Sequence, residues 1–411
     1  MQVFFKIKKR YYIICFLSLI VGGGSFLCLS FNIPAKNNSV AEPDTGYAGS
    51  KTCMNCHKDI YASHIKTAHY LTSGVANAQS IKGTFEADKN NFVYNKFMKV
   101  VMEKKDGNFF QSAYAGNTEY EREQFDIVIG SARKGQTYSY WRGDKLFQLP
   151  VSYYKPLNSW CNSPGFSTAL VYFDRPIPAR CLECHATYAK ADLQEDSSTV
   201  FQKNTIIFGV DCERCHGPAA EHVAYHTVHP NDTIGKFIIN PGRLTRTQKL
   251  DACALCHSGI RKEIKPAFSF TVGDKLSDYS LPAYNTDSSS WLDVHGNQYG
   301  LLTSSKCFKT SNMDCSSCHN VHKEEVNEPE IFSSRCMNCH TEASHNFCTL
   351  TSLPASTLIK NCIDCHMPLL PSKKIFLEMA DEKQSTADLV RTHRIAVYPE
   401  QTKKFIEQLQ K

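Results

Sequence analysis

Beyond residue 31 the sequence has no uncharged apolar run approaching the roughly 20 residues that a bilayer crossing requires. The body that follows is therefore read as soluble. Charge of one sign is also missing. Five of the 46 lysines and arginines precede residue 42, which leaves 41 against 40 acidic residues and no basic stripe for a nucleic acid. Methionine (8) and tryptophan (3) are scarce, and no cysteine occurs from residue 58 to residue 160. What the chain does have is 42% apolar residues, which excludes a disordered or fibrous chain, together with 19 cysteines and 16 histidines. That is too few cysteines per residue for a small disulfide scaffold and too many for an ordinary cytosolic enzyme.

Lys6, Lys8, Lys9 and Arg10 form a basic start, and Tyr11 to Phe31 then runs 21 residues without a charge. This pattern marks an export signal or an N-terminal membrane anchor over residues 1–31. Gly22, Gly23 and Gly24 weaken a spanning helix, and Ser39-Val40-Ala41 offers small residues for cleavage, so both readings stay open. Either way the expected location is outside the cytoplasm, in the periplasm or at the periplasmic face of the inner membrane.

Fourteen cysteines fall in seven Cys-Xaa-Xaa-Cys-His pentads. They are Cys53, Cys56, His57; Cys181, Cys184, His185; Cys212, Cys215, His216; and Cys253, Cys256, His257. Then come Cys315, Cys318, His319; Cys336, Cys339, His340; and Cys362, Cys365, His366. Chance at this composition would give ~0.03 such pentads. Two cysteines three positions apart share one side of a helical turn, where their sulfurs can form thioethers with the two vinyl groups of a haem. The following histidine then lies beneath the iron. A zinc ribbon would pair two Cys-Xaa-Xaa-Cys knuckles per metal and needs no adjacent histidine, and seven knuckles leave one unpaired. A redox dithiol would need a thioredoxin-like βαβ pattern that is absent. Seven covalently attached c-type haems, each with its iron, are therefore expected. At about 53 residues per haem the macrocycles must supply much of the apolar core.

Cysteine placement divides the chain into a linker at 32–48, a first haem-binding segment at 49–83, a β-rich aromatic insertion at 84–160, a six-haem domain at 161–370 and a C-terminal extension at 371–411. Between Phe85 and Trp160 lie 16 of the 46 aromatics. Hairpins are expected around Asp106-Gly107 and around Gly143-Asp144. The aromatics are read as the inner face of a small antiparallel sheet, with a partner-docking surface as the alternative.

Nine histidines lie outside the pentads, enough to give seven irons a second imidazole, whereas Met54, Met337 and Met367 sit inside or beside the pentads. Bis-histidine, low-spin ligation is expected throughout. The candidate distal ligands are His69, His222, His226, His295, His322, His345 and His393, with His64 and His229 as the leftovers. Cys307 and Cys348 could pair, leaving Cys161 as a free thiol; three buried thiols are the alternative.

The stretch YAGSKTCMNCHKDIYASHIKTAHY resembles the opening motif of the multihaem cytochromes c with closely spaced pentads, relatives of the tetrahaem cytochrome of hydroxylamine oxidation. RGDKLFQLPVSYY, FDRPIPARCLECHATY, CERCHGPAAEHV, HGNQYGLL, CSSCHNVH and NCIDCHMP resemble a larger, exported subgroup of that family. The resemblance covers roughly residues 47–400. It implies His69 as an axial ligand and, by motif position only, His222, His295, His322 and His393 as further distal ligands.

The expected fold is a mainly α and irregular multihaem cytochrome c fold with a haem-packed core and a small antiparallel β insertion. The expected function is electron transfer at the cell envelope. Its partners would be other redox proteins as donor and acceptor, including a membrane-associated quinol-oxidising or reductase complex. The alternatives are a multihaem oxidoreductase of a small nitrogen or sulfur species at one open iron, and a docking module built on the β insertion.

Overall fold

The computed structural model describes residues 46–283, 292–325, 328–378 and 385–410. The expected signal or anchor at 1–31, and the linker as far as residue 45, lie outside the described residues. Among those described, no helix is long and apolar enough to cross a membrane.

Alternation of buried and exposed residues builds the β-rich part. In β3 (Met98–Lys105) Val100 and Met102 point inward, and in β4 (Asn108–Ala115) Phe109, Gln111 and Ala113 do. The two strands pair from Met98↔Ala115 to Lys105↔Asn108. Asp106 (φ 50°) and Gly107 (φ 81°) make the turn, the two-residue, left-handed geometry that suits strand twist. With β2 (Asn91–Val93) and β5 (Thr118–Gln124) they form a four-stranded antiparallel sheet in the order β2-β3-β4-β5. A second sheet follows the order β1-β6-β7-β8-β11, from Ser73–Val75, Ile127–Ile129, Gly135–Arg142, Lys145–Gln148 and Arg175–Pro176. β9 (Val151–Tyr154) joins it through β7, and β10 (Ser159–Asn162) pairs with β9. The expected hairpin at Gly143-Asp144 is β7 with β8, but its second arm breaks at Leu149-Pro150 before β9 begins.

Aromatic residues fill the space between these sheets. Trp160 is 1% exposed and meets Phe85, Phe125, Tyr138 and Tyr153 at ring distances of 5.8–6.4 Å. Its indole N–H donates to Thr84 O (2.9 Å). Gly83 lies flat against this ring, where a Cβ would come within 2.2 Å of it. Gln111 spans the layers: its amide donates to Val151 O (2.7 Å) and accepts from Val151 N (3.1 Å).

From residue 179 onward the elements are short. The longest helix among the described residues, Arg246–His257, starts at a capping box between Thr245 and Gln248. An expected mainly helical body is only partly what forms, since 25% of the described residues lie in strands and 28% in helices. Two causes are visible. Pentad helices stop within a turn or two of their histidine. The alternating pattern runs beyond 84–160, borrowing 73–75 and 175–176 as sheet edges. A further hairpin, Leu369–Leu377 with Thr386–Arg391, occupies the C-terminal extension, followed by helix Pro399–Leu409.

Candidate haem-binding pentads and their histidines

Each pentad is wound as a single turn. The His57, His319 and His340 N–H groups donate back to Cys53, Cys315 and Cys336 carbonyls at 2.8–3.0 Å. Cys212–His216 and Cys362–His366 are themselves helices, and the fourth pentad ends helix Arg246–His257. The turn brings both cysteines of a pentad to one side, as two thioethers to one macrocycle need.

Second partners orient the pentad rings. His216, His340 and His366 turn Nδ1 to the carbonyls of Ile239 (2.9 Å), Asn346 (3.0 Å) and Ala396 (2.9 Å). His185 Nδ1 meets Thr72 Oγ1 at 2.9 Å, and His257 Nδ1 meets Gln298 Oε1 at 3.4 Å. An occupied Nδ1 leaves Nε2 for a metal.

Three pentad rings face a histidine from elsewhere in the chain. His257 faces His69 at 6.0 Å between ring centres, His216 faces His322 at 6.2 Å, and His319 faces His393 at 6.1 Å. Two metal–nitrogen bonds of about 2 Å plus two half-rings span about 6 Å, so each spacing fits two imidazoles on opposite faces of one iron. Burial, and next the neighbouring His257, push the His69 ring down to about 4. Burial and then His319 do the same to His393, also to about 4. Both rings are thereby kept neutral, the form that binds metal. Nδ1 of His393 is buried with no hydrogen-bond partner of ordinary geometry. His64 is also 6.1 Å from His322, yet its two nitrogens face the carbonyls of Val321 (3.3 Å) and Val210 (3.2 Å).

Side chains also bring the pentads together out of chain order. The thiols of Cys53 and Cys212 lie within hydrogen-bonding reach, as do Cys184 and Cys256, Cys253 and Cys315, and Cys336 and Cys362. The residues between the cysteines reinforce these contacts. Glu213, inside the third pentad, accepts from Ala48 N (2.8 Å) and Gly49 N (2.9 Å) at the entrance to the first. Glu183, inside the second, forms an ion pair with Arg180 and accepts from Phe268 N (2.8 Å). Arg214 of the third donates to the Glu183 carbonyl (2.9 Å). Arg180 reaches Leu255 O of the fourth (2.9 Å), and Arg335 beside the sixth pentad donates to Cys318 O of the fifth.

The remaining candidates stand differently. His222 and His226 adjoin each other at 4.6 Å; His222 Nδ1 meets Lys236 O (2.8 Å), and His226 Nε2 accepts from Lys236 N (3.4 Å). His229 stacks on Tyr225 at 4.3 Å. His345 lies with φ 53° in the loop whose Asn346 carbonyl holds His340. His295 Nδ1 stands 3.8 Å from Asp388. Of the two alternatives for Cys307 and Cys348, the structure shows free thiols, Cys307 half-buried near Cys339 and Cys348 exposed near Cys365, each beside a different pentad. Cys161 is a buried free thiol, pushed up to about 12 by burial. Sequence reasoning missed Thr72, Gln298, Asp388 and Glu213. Only Glu213, lying within a pentad, carried any signal.

The family model for cytochrome c554 and c-prime matches residues 172–217, which hold the second and third pentads. Multiheme cytochrome MtrA of Shewanella baltica (strain OS185) is 25% identical over 192 residues, 46% of this chain and 45% of that protein. The chain thus spans about half the length of this curated relative. The crystal structure of the outer cell wall cytochrome OcwA has a similar fold, with a TM-score of 0.54 and 17% identity over 88% of this chain and 82% of that one. Together with the pentads, the likenesses in sequence support a multihaem cytochrome c family for this chain.

Proposed function

We propose that the protein passes electrons along seven c-type haems at the cell envelope, after export directed by its N-terminal segment. The observation that carries this reading is the set of histidine pairs at 6.0–6.2 Å, each joining a pentad to a distant part of the chain. When bound, the iron porphyrins supply reversible one-electron chemistry. The protein's own part is to hold them near one another and keep their ligands fixed. His69, His322 and His393 serve as distal ligands opposite His257, His216 and His319. His222, His226, His295 and His345 are the remaining candidates for the irons of His57, His185, His340 and His366. The contacts between pentads support a continuous path. They link the first pentad to the third and the second to the fourth, then the fourth to the fifth and the sixth to the seventh, with Arg214 bridging the third and second and Arg335 the fifth and sixth. Donor and acceptor are other redox proteins, among them a membrane-associated quinol-oxidising or reductase complex.

Mass spectrometry of the mature protein should show seven haem adducts, and electron paramagnetic resonance of the oxidised form should show low-spin centres throughout. Fewer adducts would undo the haem count. A high-spin signal that shifts with nitrite or hydroxylamine would replace electron carriage with oxidoreductase chemistry at an open iron.

A further inference from the structure

We propose that Asp388 is a positioning residue for His295 as an iron ligand and lowers the potential of that centre, and that the β-rich insertion, through Lys134, moderates this effect. The proposal rests on the bis-imidazole reading above. Asp388 lies on strand Thr386–Arg391 and is 3% exposed. Its Oδ1 accepts from Lys134 Nζ (3.0 Å) and from Tyr154 OH (2.8 Å), and its Oδ2 faces His295 Nδ1 at 3.8 Å. Lys134 also donates to Leu389 O (2.5 Å). Both donors come from the β-rich insertion: Tyr154 ends β9, and Lys134 precedes β7 and accepts from Lys155 N (2.8 Å).

The backbone at His295 is fixed from the same side. Asp293 accepts from His295 N (2.8 Å), from Ser372 OH (2.8 Å) and from Lys373 N (2.5 Å), which ties this segment to the first strand of the C-terminal hairpin. Main chain and ring are thus held by one hairpin, and the hairpin's carboxylate is held by the sheet. With Nδ1 turned to Asp388, Nε2 is the nitrogen left for iron.

The chemistry of the acceptor sets His295 apart. His216, His340, His366 and His222 turn Nδ1 to backbone carbonyls, His185 to a hydroxyl and His257 to a neutral amide. His295 alone among the proposed ligands faces a carboxylate at Nδ1 among the described residues. A negative charge there makes the imidazole a stronger electron donor, which favours ferric over ferrous iron and lowers the potential. Lys134 offsets part of that charge from the other oxygen.

Spectroelectrochemical titration of the holoprotein tests this, with haem content checked by pyridine haemochrome. Asp388→Asn should shift one redox component upward at unchanged haem content, and Asp388→Glu should restore it. Lys134→Met changes a half-exposed side chain and keeps the carboxylate, so it should shift the same component downward. This arm still decides the matter if Asp388→Asn loses haem. His295→Ala should convert one low-spin centre to high spin. If it does not, the ligand reading at His295 fails. If it does, but every component keeps its potential in Asp388→Asn or Lys134→Met, the role of Asp388 alone is overturned.

Discussion

Removing the Glu213 carboxylate should release the first pentad from the third. Glu213 is 4% exposed and accepts three backbone N–H groups: Ala48 and Ala219 at 2.8 Å on Oε1, and Gly49 at 2.9 Å on Oε2. Two of these belong to the segment that leads into Cys53, which is otherwise held by Ala220 N on Gly46 O (2.9 Å) and by Tyr47 against Tyr188. A hydrogen bond to a charged group contributes about 1.5–3 kcal/mol net, and a buried donor left unpaired costs about 1–3 kcal/mol. Ala219 is 2% exposed, so water cannot replace its partner, whereas Ala48 and Gly49 are half-buried and recover part of theirs. Glu213→Ala should therefore cost about 3–5 kcal/mol. Glu213→Gln keeps one carbonyl oxygen but presents an N–H₂ to Gly49, and should cost about 1–2 kcal/mol. Guanidinium unfolding of the holoprotein measures the global loss, and limited proteolysis between residues 46 and 53 measures the local one. If Glu213→Ala stays within about 0.5 kcal/mol of the parent, the range of an ordinary surface substitution, and its 46–53 segment resists cleavage as before, the clamp does not exist.

His393→Ala should turn one low-spin centre high-spin, while His64→Ala, whose nitrogens face carbonyls, should leave every low-spin signal in place; spectra matching the parent for both would remove His393 from the ligand set. Gly83→Ala should overpack the ring face of Trp160 at a cost of about 1–3 kcal/mol, seen as a lower Tm in near-ultraviolet dichroism; an unchanged Tm would mean that the loop yields freely. On β5, burial first and Glu123 second hold the Glu121 carboxyl above its ordinary range, and burial likewise raises Glu123. A carboxyl raised on folding contributes stability that is complete below its unfolded pKa and is lost as pH rises through its folded value. Glu121→Gln with Glu123→Gln should therefore raise Tm at neutral pH and flatten its fall from about pH 4 upward; equal slopes in parent and double variant would refute this.

Much of the β-rich insertion could be read ahead of the structure, because period-two alternation and two-residue turns are local signals. Asp106-Gly107 fixed its hairpin to the residue. The sheet edges at 73–75 and 175–176 were not legible, since strands of two or three residues show no period. The C-terminal hairpin stayed hidden for a related reason: Pro371, Lys373 and Lys374 interrupt its pattern, and its register shifts between Pro371 and Phe376. The pentads were legible as chemistry, because spacing of one turn is written in sequence. Which histidine meets which pentad was not. His69 meets a ring 188 positions away and His322 one 106 positions back, and only tertiary packing decides such pairings.

The two unnamed positions inside each pentad look like filler, yet in the second and third pentads they hold Glu183, Glu213 and Arg214. Glu183 and Glu213 are 3–4% exposed. Charges so buried persist only when paired and hydrogen-bonded, and several of their contacts reach other pentads or the segments leading into them. Arg214 binds the second pentad from the third, Glu213 binds the approach to the first, and Arg180 beside Glu183 reaches the fourth. Electrons passing between neighbouring haems require spacings that do not drift. In a region where helices are short and buried aliphatic side chains are few, buried hydrogen bonds from charged side chains to the backbone of neighbouring attachment turns supply directional restraint that apolar contact cannot. Neutralising Glu183 as Gln should then loosen its junctions with the third and fourth pentads at once, which would appear as coupled changes in the spectra of the second, third and fourth haems rather than in the second alone. A change confined to the second would mean that Arg214 holds its place without the carboxylate.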